Sequence, residues 1–446
     1  MNRYLFFLVI IVLSIASCSK DELSNPLDSK LTSALKAASK TGSIDYFVLP
    51  ESNDFTNIPA DPKNPLSTAK VELGKMLFFE TGIALSPAHN FGRGTYSCGS
   101  CHIPSAGFMP CRVQGIADGG LGFGHNGEGR TNLAQTYADD ELDIQGIRPL
   151  SLVNVAFVTN TSWSGQFGGG GANAGTEDQW DKDEMTKVNH LGFMGLESQN
   201  MEGVKLHRME VSKEITDNYG YTSYFDAAFG ERPSEERYNL ETASLAISAY
   251  LRSVISNQAP FQQWLKGRHT AMTDRQKLGA AIFFGKARCF NCHNGTSLNN
   301  SEQFYAIGVK DLYEAGGLNT DINDKKNLGR GAFTGQDADL YKFKVPQLYN
   351  LKNSPFYFHG SSKHSLREVV EYFNDGIPEN ANVPEDRIAP FFRPLELTES
   401  EIDALVDFLE EGLYDPEMNR HSPDRILSGN CFPNNDPFSR IDLGCE

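Results

Sequence analysis

The amino-acid sequence predicts a mostly α-helical protein of two related domains with long loops. Two apolar segments with helical spacing, Leu73–Phe79 and Leu278–Phe284, share the pattern Leu-Gly-x-x-apolar-Phe-Phe. Each segment leads into a Cys-x-x-Cys-His pentad, at Cys98–His102 and Cys289–His293. No stretch shows the sustained alternation of apolar and polar residues that is typical of a half-buried strand. The repeat therefore predicts two domains of similar plan, with one pentad in each.

Each pentad is typical of a c-type haem attachment site. Two thiols three positions apart can add to the two vinyl groups of one haem, and the His that follows can ligate the iron from the proximal side. The sequence therefore predicts two cytochrome c-like domains, each with one covalent haem. A thiol–disulfide oxidoreductase is disfavoured because a His follows each pair and no βαβ pattern surrounds it. The predicted attachment residues and iron ligands are Cys98, Cys101, His102, Cys289, Cys292 and His293.

The predicted boundary between the domains lies near Thr270. A helical stretch at Leu240–Ile255 closes the first domain, and Thr273 can cap the first helix of the second. We therefore expect an N-terminal haem domain at residues 61–270 and a C-terminal one at residues 271–446.

The N-terminus has the features of an export signal. The apolar stretch Tyr4–Ile15 is too short for a comfortable transmembrane helix and has the form of a signal-peptide core. The residues ending at Cys18 resemble a bacterial lipobox, so residues 1–18 are interpreted as a lipoprotein signal peptide, with ordinary cleavage nearby as the alternative. We expect an exported, periplasmic protein that a lipid on Cys18 anchors to the membrane. Residues 19–60, rich in small polar and charged residues, are predicted to be a flexible tether.

Three cysteines remain after haem attachment and lipidation. In an oxidising compartment Cys431 and Cys445 can close a short loop in the C-terminal tail. Cys111 is then a free thiol, although it could instead pair with either of the others.

The charge of the chain restricts its partners. A formal net charge of −17 argues against nucleic acid as a ligand. An acidic surface can attract a basic redox protein, although acidity is also common in exported proteins.

The order and spacing of several motifs resemble those of the bacterial di-haem cytochrome c peroxidases and of their relatives that mature tryptophan tryptophylquinone. The resemblance spans roughly Leu66 to Leu413. It implies that H₂O₂ reacts at the N-terminal haem and that a small donor protein, a cytochrome c or a cupredoxin, reduces the C-terminal haem. It also implies a homodimer, which is frequent in the family. The matching segments are Leu73–Phe79, Cys98–Phe108, Ser151–Asn154, Trp163–Gly165, Phe343–Pro346, Pro355–Gly360 and Ser365–Val370.

The resemblance also implies catalytic residues. Trp163 matches the tryptophan that relays electrons between the haems, with a core tryptophan as the alternative. Gln199 matches a distal glutamine, which a catalytic Glu follows ten residues later in the family. Met209 stands at that position here, so Glu210 is the predicted acid–base residue, followed by His207 and Glu197.

Other ligands implied by the resemblance are less well matched. His125, in a glycine-rich loop, is the candidate for a displaceable sixth ligand of the first iron, or else a surface residue. Phe373 stands where relatives have a Met or Tyr ligand to the second iron, and Met418 lies beyond the last helix. The family also holds Ca²⁺ between its domains, through one Asn side chain and backbone oxygens. In this sequence Pro149 stands near the position of that Asn, and only the segment around Val345–Pro346 matches the family, so a Ca²⁺ site is weakly supported.

Three functions remain open at this point. The leading one is a di-haem cytochrome c peroxidase that reduces H₂O₂ to water. The second uses the same haem chemistry to oxidise a protein or an organic substrate, which the departures at Phe373 and Met209 favour. The third is a non-catalytic di-haem electron carrier.

Overall fold

The structure is a computed structural model that describes residues 25–445. These residues confirm the predicted, mostly α-helical fold, because they form twelve α-helices, four short strands and many 3-10 turns. The strands form two antiparallel pairs, β1 with β2 and β3 with β4. The strands are β1 (Gly120–Leu121), β2 (Asn132–Leu133), β3 (Asn300–Tyr305) and β4 (Phe343–Val345). The helices are α1 (Pro26–Ala38), α2 (Thr68–Phe79), α3 (Gly195–Leu206), α4 (Lys213–Tyr219), α5 (Thr222–Phe229), α6 (Leu240–Arg252), α7 (Pro260–Leu265), α8 (Asp274–Phe283), α9 (Arg330–Thr334), α10 (Leu366–Asp375), α11 (Glu399–Asp407) and α12 (Pro437–Asp442).

The repeated segments form equivalent helix crossings in the two halves of the chain. A Cβ on Gly74 of α2 would lie 1.9 Å from the backbone oxygen of Ala246 in α6. A Cβ on Gly279 of α8 would lie 1.9 Å from the backbone oxygen of Ala404 in α11. Glycine weakens a helix interior by about 1 kcal/mol relative to alanine, so its presence here is explained by the close approach of the two helices.

The predicted starts of the C-terminal helices are present. Thr273 forms a capping box with Gln276 at the start of α8. Such a box satisfies backbone N–H groups that the first helical turn leaves without partners. The predicted boundary near Thr270 falls between α7 and α8.

Residues 25–60 are folded, so the prediction of a flexible tether is wrong for this part of the segment. Leu31 and Leu35, on one face of α1, are completely buried. Asp28 accepts a hydrogen bond from the Trp264 indole at 2.7 Å and forms a buried ion pair with Lys277 of α8 at 2.8 Å. The composition of the segment is polar on average, but the helical spacing of these leucines gives α1 an apolar face that packs on the rest of the fold.

The C-terminal tail leaves the second half of the chain and packs against the first pentad. Cys431 and Cys445 form a disulfide. Ser97 donates a hydrogen bond to the backbone oxygen of Pro433 at 2.8 Å. Because α1 packs on α8 and the tail packs on the first pentad, each end of the described residues 25–445 contacts the other half of the fold.

The described part of the chain contains no helix long and apolar enough to cross a membrane. Cys18 and the predicted signal peptide lie outside the described residues.

Candidate functional site

The two pentads have nearly identical local structure. Each begins with a 3-10 turn, and the His N–H bonds back to the oxygen of the first Cys, at 3.0 Å for His102 and 2.9 Å for His293. Nδ1 of His102 lies 2.9 Å from the oxygen of Phe108, and Nδ1 of His293 lies 2.9 Å from that of Leu298. Because a backbone carbonyl can only accept, Nδ1 carries the proton and Nε2 retains a lone pair for a metal.

The same phenylalanine of the repeat contacts each of these imidazoles. The ring centroids of Phe78 and His102, and likewise those of Phe283 and His293, lie 6.3 Å apart with the planes inclined by 50°. Burial lowers the pKa of both His102 and His293 to about 4, which keeps the rings in the neutral form that binds iron.

A cavity adjoins each pentad. The first, of about 210 Å³, is lined by Cys98, Cys101 and His102. The second, of about 350 Å³, is lined by Cys289, Cys292 and His293, together with many apolar side chains. The lining of each cavity thus includes two thiols and one imidazole nitrogen free to bind a metal, which fits a covalently attached haem.

Trp163 lies in the wall that separates the two cavities. Its side chain lines both, is 9% exposed, and donates an indole hydrogen bond to the oxygen of Arg148 at 2.7 Å. This wall therefore places one aromatic ring next to both pentad sites. The residues that line both cavities are Arg148, Pro149, Leu150, Ser151, Trp163, Lys344 and Gln347; we call them the shared wall.

One histidine in the lining of the first cavity is paired with a carboxylate that lies outside the lining. Gln199 of α3 and His207, which follows the end of that helix, both line the cavity. Nδ1 of His207 donates to the Asp143 carboxylate at 2.7 Å, and Nε2 makes no hydrogen bond to a described residue. Burial acts to lower the pKa of His207, but the Asp143 carboxylate outweighs it and holds that pKa above its ordinary value.

Glu210 and Glu197, the carboxylates predicted from sequence, do not line either cavity. Glu210 is exposed, its N–H bonds to the oxygen of Ile83, and its carboxylate accepts from Ser86. Glu197 is completely buried in an ion pair with Arg252 at 2.6 Å. Because α3 ends at Leu206, a count along the chain from Gln199 no longer follows one helix face when it reaches Glu210.

His125 does not reach the first cavity either. It is exposed, and its N–H donates to Glu128 at 2.9 Å. The glycine-rich loop that carries it is bound to the C-terminal tail, because the N–H groups of Phe123 and Gly124 both donate to Asp442 at 2.8 Å.

Comparison with known proteins shows which proteins this chain is similar to. A family model described as di-haem cytochrome c peroxidase matches residues 68–270. The methylamine utilization protein MauG of Methylorubrum extorquens is 29% identical over 359 residues, which cover 79% of this chain and 81% of that protein. The chain is therefore similar to the di-haem cytochrome c peroxidases, through that family's model over residues 68–270 and through MauG over most of its length. It is therefore an oxidoreductase, and the family implies two c-type haems.

Two further comparisons give similar proteins and a similar fold. The cytochrome-c peroxidase IdrP2 of Denitromonas iodatirespirans is 28% identical over 356 residues, or 76% of this chain and 80% of that protein. Among solved structures, a MauG-like protein associated with microbial copper homeostasis superposes with a TM-score of 0.58. It is 22% identical and covers 87% of this chain and 98% of its own.

The second cavity has an apolar side chain at the position where the sequence resemblance led us to look for a sixth ligand of the second iron. Phe373 of α10 lines the cavity, whereas Met418 does not. Tyr372 is also outside the lining, and its hydroxyl donates to the oxygen of Ile307 at 2.6 Å. His359 lines the cavity, but its Nε2 is hydrogen-bonded to Asp311 at 3.1 Å.

A calcium site stays a prediction. Within residues 25–445, no group of three or more His, Cys, Asp or Glu side chains could hold a metal ion. A Ca²⁺ site built from amide and backbone oxygens would not belong to such a group.

Proposed function

We propose that this protein is a di-haem peroxidase that reduces H₂O₂ to water with electrons from a small donor protein. The observation that carries the proposal is His207, which lines the first cavity together with Gln199 and is hydrogen-bonded to Asp143 outside the lining. A haem bound at this cavity supplies the iron redox chemistry that splits the O–O bond. The chain must then move a proton from one peroxide oxygen to the other, which requires a titratable side chain in the lining.

His207 can perform this proton transfer. Its neutral Nε2 accepts a proton from H₂O₂ and returns it to the departing oxygen, which leaves as water. Asp143 accepts the Nδ1 hydrogen bond, fixes the ring and stabilises the imidazolium formed in between. The Gln199 amide can orient the peroxide. Two electrons and two protons in total convert one H₂O₂ to two H₂O.

The two electrons enter at the second site and cross the shared wall. Trp163 lines both cavities, so its indole offers an aromatic path between them. The donor is proposed to be a cytochrome c or a cupredoxin. A donor with a basic contact surface would suit the net charge of −17.

A second candidate function is the oxidation of a protein or an organic substrate. Phe373 favours it, because a Met ligand would raise the potential of the second haem and Phe cannot bind iron. The likeness to MauG also supports it. A non-catalytic electron carrier would need no carboxylate-supported histidine in the lining of the first cavity.

The cellular setting is also a proposal. We infer an exported, periplasmic protein with a lipid anchor at Cys18, two haem domains that meet near Thr270, and a homodimeric state. Covalent haem and the disulfide between Cys431 and Cys445 support an oxidising compartment outside the cytoplasm.

The test is steady-state oxidation of reduced cytochrome c by H₂O₂, using the purified holoprotein with and without prior half-reduction. His207→Gln is expected to lower kcat/KM for H₂O₂ by about 10²–10⁴-fold, the usual contribution of general acid–base catalysis. Glu210→Gln is the matched control and should stay near wild type, because Glu210 lies at the surface.

Each alternative has its own signature in the same experiment. A large loss with Glu210→Gln and none with His207→Gln would contradict the role of His207. If no donor is oxidised but H₂O₂ still shifts the Soret band, the second candidate replaces the first. If H₂O₂ produces neither effect, the protein is an electron carrier.

A further inference from the structure

The two cavities differ in charge from the rest of the molecule. The chain carries 57 acidic residues against 40 basic ones. Yet the described lining of neither cavity includes an Asp or a Glu. Its basic residues are Arg148, Arg288, Lys344 and Arg393, and two of these, Arg148 and Lys344, belong to the shared wall. Two buried cations therefore lie between the pentad sites with no acidic side chain in either lining.

Lys344 is the more exceptional of the two. It lies on β4, where its N–H donates to the oxygen of Trp163 at 2.8 Å, and the residue is 2% exposed. Within residues 25–445 its ammonium has no hydrogen-bond or ion-pair partner. Other buried lysines are bound: Lys277 pairs with Asp28 at 2.8 Å, and Lys70 donates to Asn64 at 3.2 Å. Burial of an unpaired ammonium costs free energy, and a bound anion beside Lys344 would offset that cost.

Arg148 adds a second positive charge without an acidic partner. Its guanidinium donates to the backbone oxygens of Pro110 and Arg112 and to the Ser354 hydroxyl, all of which are neutral groups. These three hydrogen bonds engage neutral acceptors and do not balance its charge. The shared wall is therefore positively charged on both of its faces.

We propose that Lys344 is the cationic partner of a haem propionate at the shared wall, and that its charge raises the reduction potentials of both haems. The inference shares with the proposed function only the requirement for two bound haems. Each haem carries two propionate carboxylates, and one of these is the anion that Lys344 would pair with. A carboxylate beside the ammonium would balance a charge that the protein leaves unpaired. Reduction of either iron adds an electron, which a nearby cation stabilises in a water-poor site.

Burial alone lowers the pKa of Lys344 to about 8. A bound carboxylate acts in the opposite direction and favours the charged form. Because Lys344 lines both cavities, removal of its charge should affect both haems.

The test is spectroelectrochemical titration of the holoprotein, without H₂O₂, in wild type and three variants. Lys344→Met is expected to retain two haems by haem-content assay but to lower both midpoint potentials. The equilibrium constant for reduction of each haem should fall at least tenfold, which lowers the midpoint potential of a one-electron couple by about 59 mV. Lys344→Arg keeps the charge and should stay near wild type. Lys70→Met removes a buried charge that lines neither cavity, and should leave both potentials unchanged.

Unchanged potentials in Lys344→Met would overturn the inference, as would a shift at one haem alone. A changed spin state of a haem iron in both Lys344 variants would also overturn the inference. Such a change would show that the amine of Lys344 is a ligand of that iron. If Lys344→Met does not fold, Lys344→Gln takes its place, with the same outcomes. Failure of the proposed function is a different result: the wild-type holoprotein would contain two reducible haems but would not turn over H₂O₂, whatever the potentials of the Lys344 variants.

Discussion

At the scale of single residues, the His207–Asp143 pair determines how the first site should respond to pH. His207 must be neutral to accept a proton, and the Asp143 carboxylate holds its pKa above the ordinary value. Activity is therefore present above this raised pKa and lost as pH falls through it. The stability of the pair has the opposite dependence: it is complete below the unfolded pKa of about 6.5 and lost as pH rises through the folded pKa.

Asp143→Asn should move the acidic limb of the profile of kcat/KM against pH to lower pH, because the carboxylate that favours the imidazolium is gone. The height of the plateau should fall as well, since an amide orients the ring less well. Asp181→Asn is the control, because Asp181 contacts His190 in an exposed pair that lines neither cavity. An unmoved limb in Asp143→Asn would show that another group titrates.

Trp163→Phe should slow electron transfer between the two sites and leave the optical spectra of both haems unchanged. A decrease of about tenfold in kcat corresponds to a barrier higher by about 1.4 kcal/mol. Trp180→Phe is the control, since Trp180 is also buried but lines neither cavity. Pre-steady-state oxidation of the second haem by H₂O₂ measures the step directly. Equal rates in both variants would make Trp163 a core residue.

Residues within one local motif could be predicted from sequence, and residues joined across the fold could not. The pentads fix Cys98 and His102 by spacing alone. Asp143 lies 64 residues before its partner His207, and no pattern in the sequence connects them. Glu210 was favoured because a motif count was continued beyond the end of a helix.

At the scale of elements, the glycine in each repeated segment sets how closely two helices cross. Gly74→Ala should destabilise the protein by about 2 kcal/mol, because the new Cβ would force α2 away from the backbone of Ala246. This cost exceeds the gain in helix propensity. Urea denaturation followed by far-UV circular dichroism measures the free energy of unfolding. Gly170→Ala is the control, because its Cβ would meet nothing within 4 Å, and it should change stability by less than about 0.5 kcal/mol. A neutral Gly74→Ala would contradict the close crossing.

The sequence predicted these helices because apolar spacing and capping residues act within a few positions. It did not predict α1 as folded, because the stability of a short helix comes from the surface on which it packs. That surface includes Trp264 and Lys277, more than 200 residues away.

At the scale of the whole molecule, the two ends of the described part of the chain, α1 and the C-terminal tail, each pack on the other half of the fold. The tail packs on the first pentad through Ser97 and is closed by the disulfide between Cys431 and Cys445. It also accepts backbone hydrogen bonds from the glycine-rich loop, through Asp436 and Asp442. The tail therefore holds both the attachment turn of the first site and the loop that carries His125.

Replacement of both Cys431 and Cys445 by Ser should loosen this tail without unfolding the rest of the chain. A disulfide that closes a loop of this length contributes about 3 kcal/mol, mainly by restricting the unfolded chain. Hydrogen exchange of the holoprotein should show faster exchange at the amides of Phe123 and Gly124, which bond to the tail, and no change in α10. Cys111→Ser removes a thiol that forms no disulfide and should leave exchange as in wild type. Uniformly faster exchange in the double variant would mean that the disulfide stabilises the whole molecule, whereas unchanged exchange would mean that the packing of the tail suffices without it.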